Sequence, residues 1–256
     1  MVIGVATVAA GIFDLMWGGF DPSHQPIQAF GDNIPGREIM ALITGVWMIA
    51  AGLAILWRRS AKTGAAALAL IYLIFTIFWL PRFYNAPKYL GFHASVLIGV
   101  FAGFGSQLIV VAASALLYAS QSGGDVLWSR TILMGRWIFG VCSIDFGLGH
   151  LTNIQANLFY VPKWMPLGQE FWVILTGICF VLAGLAIPSG VLDVLAARLL
   201  AFLFLAFNVL ALPQFIVAHP REHVPWGGSA YNLAAVAASW ILSDALARRH
   251  TKSDRR

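Results

Sequence analysis

Long apolar runs, separated by short polar or Pro/Gly-containing stretches, fill most of this chain. Eight runs near residues 2–20, 37–57, 63–82, 94–118, 133–151, 168–187, 194–216 and 228–247 predict eight helices. Each is close to the ~20 apolar residues that a bilayer's hydrocarbon core requires. The pattern also recurs. Segment 42–55 reappears as 175–187, with Thr44 matching Thr176 at a shift of 132. At the same shift Glu38 meets Glu170, Gly52 meets Gly184 and Pro81 meets Pro213. At a shift of 131, Asp14 meets Asp145 and Pro35 meets Pro166.

The expected fold is therefore all-α: a polytopic membrane helix bundle of eight transmembrane helices, arranged as two four-helix units. The first unit covers residues 1–119 and the second 133–247. Between them lies a cytoplasmic linker, 120–132, and a basic cytoplasmic tail, 248–256, closes the chain. An even number of spans per unit makes both copies cross in the same sense. The repeat is then parallel, with its axis along the membrane normal. The first twenty residues lack a basic n-region and align with a mid-chain segment, so they read as a retained span rather than a removable signal.

Composition supports a lipid-solvated chain. Apolar residues make up 59% and charged residues only 11%, against roughly 25% charged in an ordinary soluble domain. The net charge of +5 reflects basic residues in short loops and in the tail, not nucleic-acid binding. Alternate connections carry eleven Lys and Arg on one side and five on the other. The positive-inside bias then puts both termini in the cytoplasm of a bacterial or archaeal cell, with the bilayer as the first partner. The two cysteines, Cys142 and Cys179, fall inside apolar runs and form no Cys-x-x-Cys motif.

The polar chemistry collects toward the outer face. Asp14 and Asp145 each stand about six residues, or ~9 Å, inside their spans. An acid at that depth is costly, and is expected to face the bundle interior with a partner. Glu38 and Glu170 each open a span, where the helix's positive end favours a carboxylate. Glu38, Gly45 and Gly52 share one helical stripe, as do Glu170, Gly177 and Gly184. This predicts that both glutamates point into close helix contacts. His150 is placed to meet Glu170. These five residues are the candidates for proton handling or polar-ligand binding, against a purely structural role in fixing the bundle. His219 and His223 have i,i+4 spacing, but Pro220 and Pro225 argue against a regular helix there, and no metal site is expected.

The second unit resembles the DoxX/DoxD-like family of small four-helix membrane proteins. The resemblance rests on Gly135-Arg136 leading through Gly140 to Gly147-Leu148-Gly149-His150, then Pro166, Glu170, Thr176-Gly177 and Ala183-Gly184-Leu185. It continues with His219-Pro220, Trp226 and a last span holding Asn232. His150 stands where that family commonly has Lys, and the first unit has Val5 where the Arg would be. The resemblance implies a quinone-associated redox role, as an oxidoreductase component or an accessory subunit of a membrane complex. It makes His219, His223, Asn232 and Arg136 candidate cofactor contacts. Two other functions fit the same residues: a small-molecule or proton-coupled transporter, and a structural subunit that binds a larger membrane complex or a second copy of itself.

Overall fold

The computed structural model describes residues 1–22, 24–25 and 35–253. No strand occurs among them. The helices are α1 (Val2–Trp17), α2 (Arg37–Leu56), α3 (Ala61–Trp79), α4 (Arg82–Leu90), α5 (Ala94–Ser120), α6 (Asp125–Thr152), the short α7 (Ile154–Asn157), α8 (Gln169–Ser189), α9 (Asp193–Ala206), α10 (Leu212–Ala218) and α11 (His223–Ser253). A π-helical turn, Phe207–Ala211, joins α9 to α10.

Seven helical segments are long and apolar enough to cross a membrane: Arg37–Leu56, Ala61–Leu90, Ala94–Ser120, Asp125–Thr152, Gln169–Ser189, Asp193–Ala218 and His223–Thr251. These are the dimensions of an integral membrane protein. Their outward faces agree: Leu42, Ile43, Val46 and Leu53 of α2 are all exposed, a surface that lipid rather than water would solvate. Helix α1 is shorter, at 16 residues. At 1.5 Å per residue it reaches about 24 Å, less than a ~30 Å hydrocarbon core. It stops because Gly18 adopts φ 61°, the left-handed cap that ends many helices. The run expected to reach residue 20 instead turns inward, and Phe20 packs edge-on against Phe75 of α3.

Helix α1 packs against α2 and α11, and α6 packs against α8 and α5. Glycines make two of these seams close. A Cβ on Gly11 would lie 2.5 Å from the Gly45 carbonyl oxygen, and one on Gly52 would lie 2.6 Å from that of Gly4. Along the other seam, a Cβ on Gly147 would lie 2.7 Å from the Gly177 oxygen, and one on Gly184 would lie 2.7 Å from that of Gly140. Without side chains at the crossing, the backbones approach directly, and dispersion contacts replace the hydrophobic drive that lipid cannot supply.

The two seams have the same form: Gly4 and Gly11 meet Gly52 and Gly45, as Gly140 and Gly147 meet Gly184 and Gly177. The glycines of α1 and α6 are thus 136 apart, where Asp14 and Asp145 are 131 apart. Two boundaries differ as well. Helix α6 begins at Asp125, so the connection between α5 and α6 is only four residues, 121–124. The expected tail continues α11 to Ser253, and residues 254–256 lie outside the described part.

Candidate functional site

Asp14 is fully buried, and the connection after α1 supplies its partner. Gln25 Nε2 donates to Asp14 Oδ2 at 2.8 Å, and Gln25 Oε1 accepts from the Asp21 backbone N–H at 2.8 Å. His24 Nδ1 lies 2.9 Å from Asp21 Oδ2, and its ring stacks on Tyr231 at 4.3 Å. Gln107, within α5, donates its side-chain amide to the His24 carbonyl. Phe20, His24 and Gln25 are thus pinned inside the bundle, Phe20 against Phe75 and the other two by side-chain amide contacts.

Helix α11 closes the cluster. Its first residue, His223, is buried and places Nε2 3.5 Å from Asp14 Oδ1. Trp17 stacks flat on His223 at 5.0 Å and anchors itself by donating Nε1–H to the Arg221 carbonyl at 2.8 Å. Neither Asp14 Oδ1 nor His223 Nε2 has a hydrogen-bond partner. Both border a cavity of about 10 Å³, lined also by Asp21, His24, Gln25, Tyr72 and Tyr231. That is roughly the room one water occupies.

The other expected residues are placed differently. Glu38 and Glu170 are exposed, not held in helix contacts. Two turns beyond Gly45 and Gly177, the partner helices α1 and α6 have already ended, so nothing covers the glutamates. His150 does not pair with Glu170. Its Nδ1 lies 3.0 Å from Thr176 Oγ1, and Thr176 directs its own hydroxyl to the Trp172 carbonyl at 2.8 Å. With the Thr176 hydroxyl so engaged, His150 Nδ1–H is the donor of this pair, and Nε2 is then an acceptor. Asp145 is buried in α6, does not line the cavity beside Asp14, and its Oδ2 has no partner. His219 and His223 do not share a helix face. His219 pairs with Glu222 at 3.0 Å on the exposed surface, while His223 turns inward.

Arg136 serves the fold. Its Nε donates to the Ile187 carbonyl at 3.0 Å and its Nη2 to the Pro188 carbonyl at 2.8 Å. These are unsatisfied carbonyls at the C-terminus of α8, where a cation is favoured. Two of its nitrogens are therefore committed to a helix end, and Arg136 does not line the groove. His250, expected in an exposed tail, lies on α11 with Nε2 2.9 Å from Asp193 Oδ1.

A second space is far larger. A groove of about 980 Å³ runs along α8, α9, α10 and α11. One end is polar, with His24, His150, Asn157, Thr176, Glu222 and Asn232. The rest is apolar, from Phe207 and Leu203 through Ala183 and Leu199 to Leu192. Phe207 stacks on His150 at 5.8 Å. It belongs to the π turn, an irregularity that often marks functional sites. Pro213, lacking an N–H, follows within α10, and Asn208 of the turn accepts from the Ser229 hydroxyl at 2.7 Å.

The cluster around Asp14 contains four polar residues absent from the expected set: Asp21, His24, Gln25 and Gln107. Gln107 could have been suspected, as a lone amide inside an apolar span. The other three sit in a polar connection with no helical period to orient them. Compared with known protein families, curated proteins and solved structures, the chain matches none.

Proposed function

We propose that the chain is an eight-span membrane protein of two like-oriented four-helix halves, with α1 as a short first span that a locally thinned bilayer accommodates, with both termini in the cytoplasm, and that it binds a quinone in the groove between α8 and α11. The paired glycine seams support the two halves. The resemblance to DoxX/DoxD-like proteins points to the same ligand class. The observation that carries the ligand reading is the groove itself, with an apolar body long enough for an isoprenoid-type tail and a polar head end. Its volume of about 980 Å³ is at the upper end of the range for small-molecule sites.

The residues fit a carbonyl-bearing headgroup. At the head end the second N–H of Asn232, whose first goes to the Gly228 carbonyl, can donate to a quinone carbonyl, and Nε2 of His150 can accept from the hydroxyl of the reduced form. Thr176 fixes the His150 ring, and Phe207 offers a flat apolar face beside it. A bound quinone supplies its own electron and proton chemistry, and the chain orients the head and excludes water. Mild detergent purification followed by native mass spectrometry and an absorption spectrum tests this. Quinone carried through purification, or taken up when decylubiquinone is added, is the expected result. Phospholipid alone, undisplaced by decylubiquinone, would identify the groove as a lipid site instead.

A further inference from the structure

We propose that Asp14, His223 and one internal water form a proton-holding site that exchanges with the groove through His24. It depends on the groove as a space and not on what fills it. Three observations carry it. First, Asp14 Oδ1 and His223 Nε2 are buried, lack hydrogen-bond partners and face each other at 3.5 Å. Second, they border a cavity with room for about one water. Third, His24 borders both this cavity and the head end of the groove.

Charge makes the pair suited to one proton. An uncompensated charge at this depth is costly. With one proton shared between the carboxyl and the imidazole, the pair is neutral overall whichever of them carries it. Release leaves a carboxylate and a neutral imidazole, and uptake restores the pair. No bond other than those to the proton changes. A water in the cavity would give both orphaned atoms a partner, which buried polar groups rarely lack.

The route is short. His24 holds Asp21 through Nδ1, and Asp21 itself borders the cavity. A proton arriving at the second ring nitrogen of His24 from the groove releases the Nδ1 proton to Asp21, and thence to the water and Asp14. The titratable groups facing Asp14 are Asp21 and His24 of the connection, Tyr72 of α3, and His223 and Tyr231 of α11. Glycine makes the arrangement sterically feasible: a Cβ on Gly227 would collide with the Asp21 carboxyl.

Infrared difference spectra of the full chain in lipid nanodiscs test the site. Spectra between acidic and alkaline buffer are expected to contain a carboxyl band that Asp14→Asn removes, His223→Gln shifts and Asp145→Asn leaves in place. A carboxyl spectrum unchanged by both Asp14→Asn and His223→Gln would overturn the site, and the second variant decides the matter if the first does not fold. The route is read from deuterium exchange of the same band on transfer to D2O. His24→Gln is expected to slow that exchange severalfold without removing the band. Exchange at the wild-type rate would overturn the route through His24. Neither measurement uses a quinone, so a groove that binds none leaves both readable.

Discussion

Gln25 reaches back eleven residues to donate to the Asp14 carboxyl at 2.8 Å, and both side chains are buried. Gln25→Leu should leave Asp14 Oδ2 without a partner. An unsatisfied buried acceptor costs about 1–3 kcal/mol. Thermal unfolding in detergent should show a lower midpoint, with the double variant Gln25→Leu/Asp14→Leu recovering part of the loss. Equal stability of Gln25→Leu and wild type would mean that the connection is not held this way.

The glycine seams make a contrast between two positions in one chain. Gly147→Val should be destabilising, because its Cβ would lie 2.7 Å from the Gly177 oxygen. Overpacking of this kind costs about 1–3 kcal/mol. Gly99 has nothing within 4 Å of its Cβ position, so Gly99→Ala should be neutral or stabilising by up to ~1 kcal/mol from helix propensity. Unfolding midpoints of the two variants against wild type check both signs.

Arg136 offers a test of structural against ligand roles. Arg136→Leu removes two hydrogen bonds to the end of α8, each worth about 1.5–3 kcal/mol when the donor is charged. Stability should fall, while the folded fraction still takes up decylubiquinone with unchanged affinity. A loss of quinone uptake with unaltered stability would return Arg136 to the ligand site.

Much of the helical plan was legible because it depends on one quantity, the length of apolar runs. Positions such as Gly52 and Gly184 also announced their seams, since a seven-residue spacing of small residues has few other uses. The register of α1 was not legible. Asp14 and Asp145 align by residue type, whereas the packing follows backbone contacts such as Gly11 with Gly45 and Gly147 with Gly177, which residue type alone does not announce. The glutamates misled for a related reason: a stripe predicts a face, not how far the neighbouring helix extends. His24 and Gln25 were invisible because a polar connection normally lies in water, and contacts distant in sequence, with Asp14, Gln107 and Tyr231, hold these two residues inward. The groove is lined in part by the π turn at Phe207–Ala211, a backbone adjustment that no run of apolar residues encodes.

The central claim is that the lateral groove holds a quinone with its head beside His150. Photolabelling of membranes with an azido-quinone, followed by peptide mapping, tests it most directly. Label should concentrate on peptides from α8, α9 and the start of α11, and excess decylubiquinone should compete it away. Leu199→Trp, at an exposed groove wall, should reduce it with the fold intact. Label spread evenly over the lipid-facing helices, indifferent to competitor and to Leu199→Trp, would contradict the account.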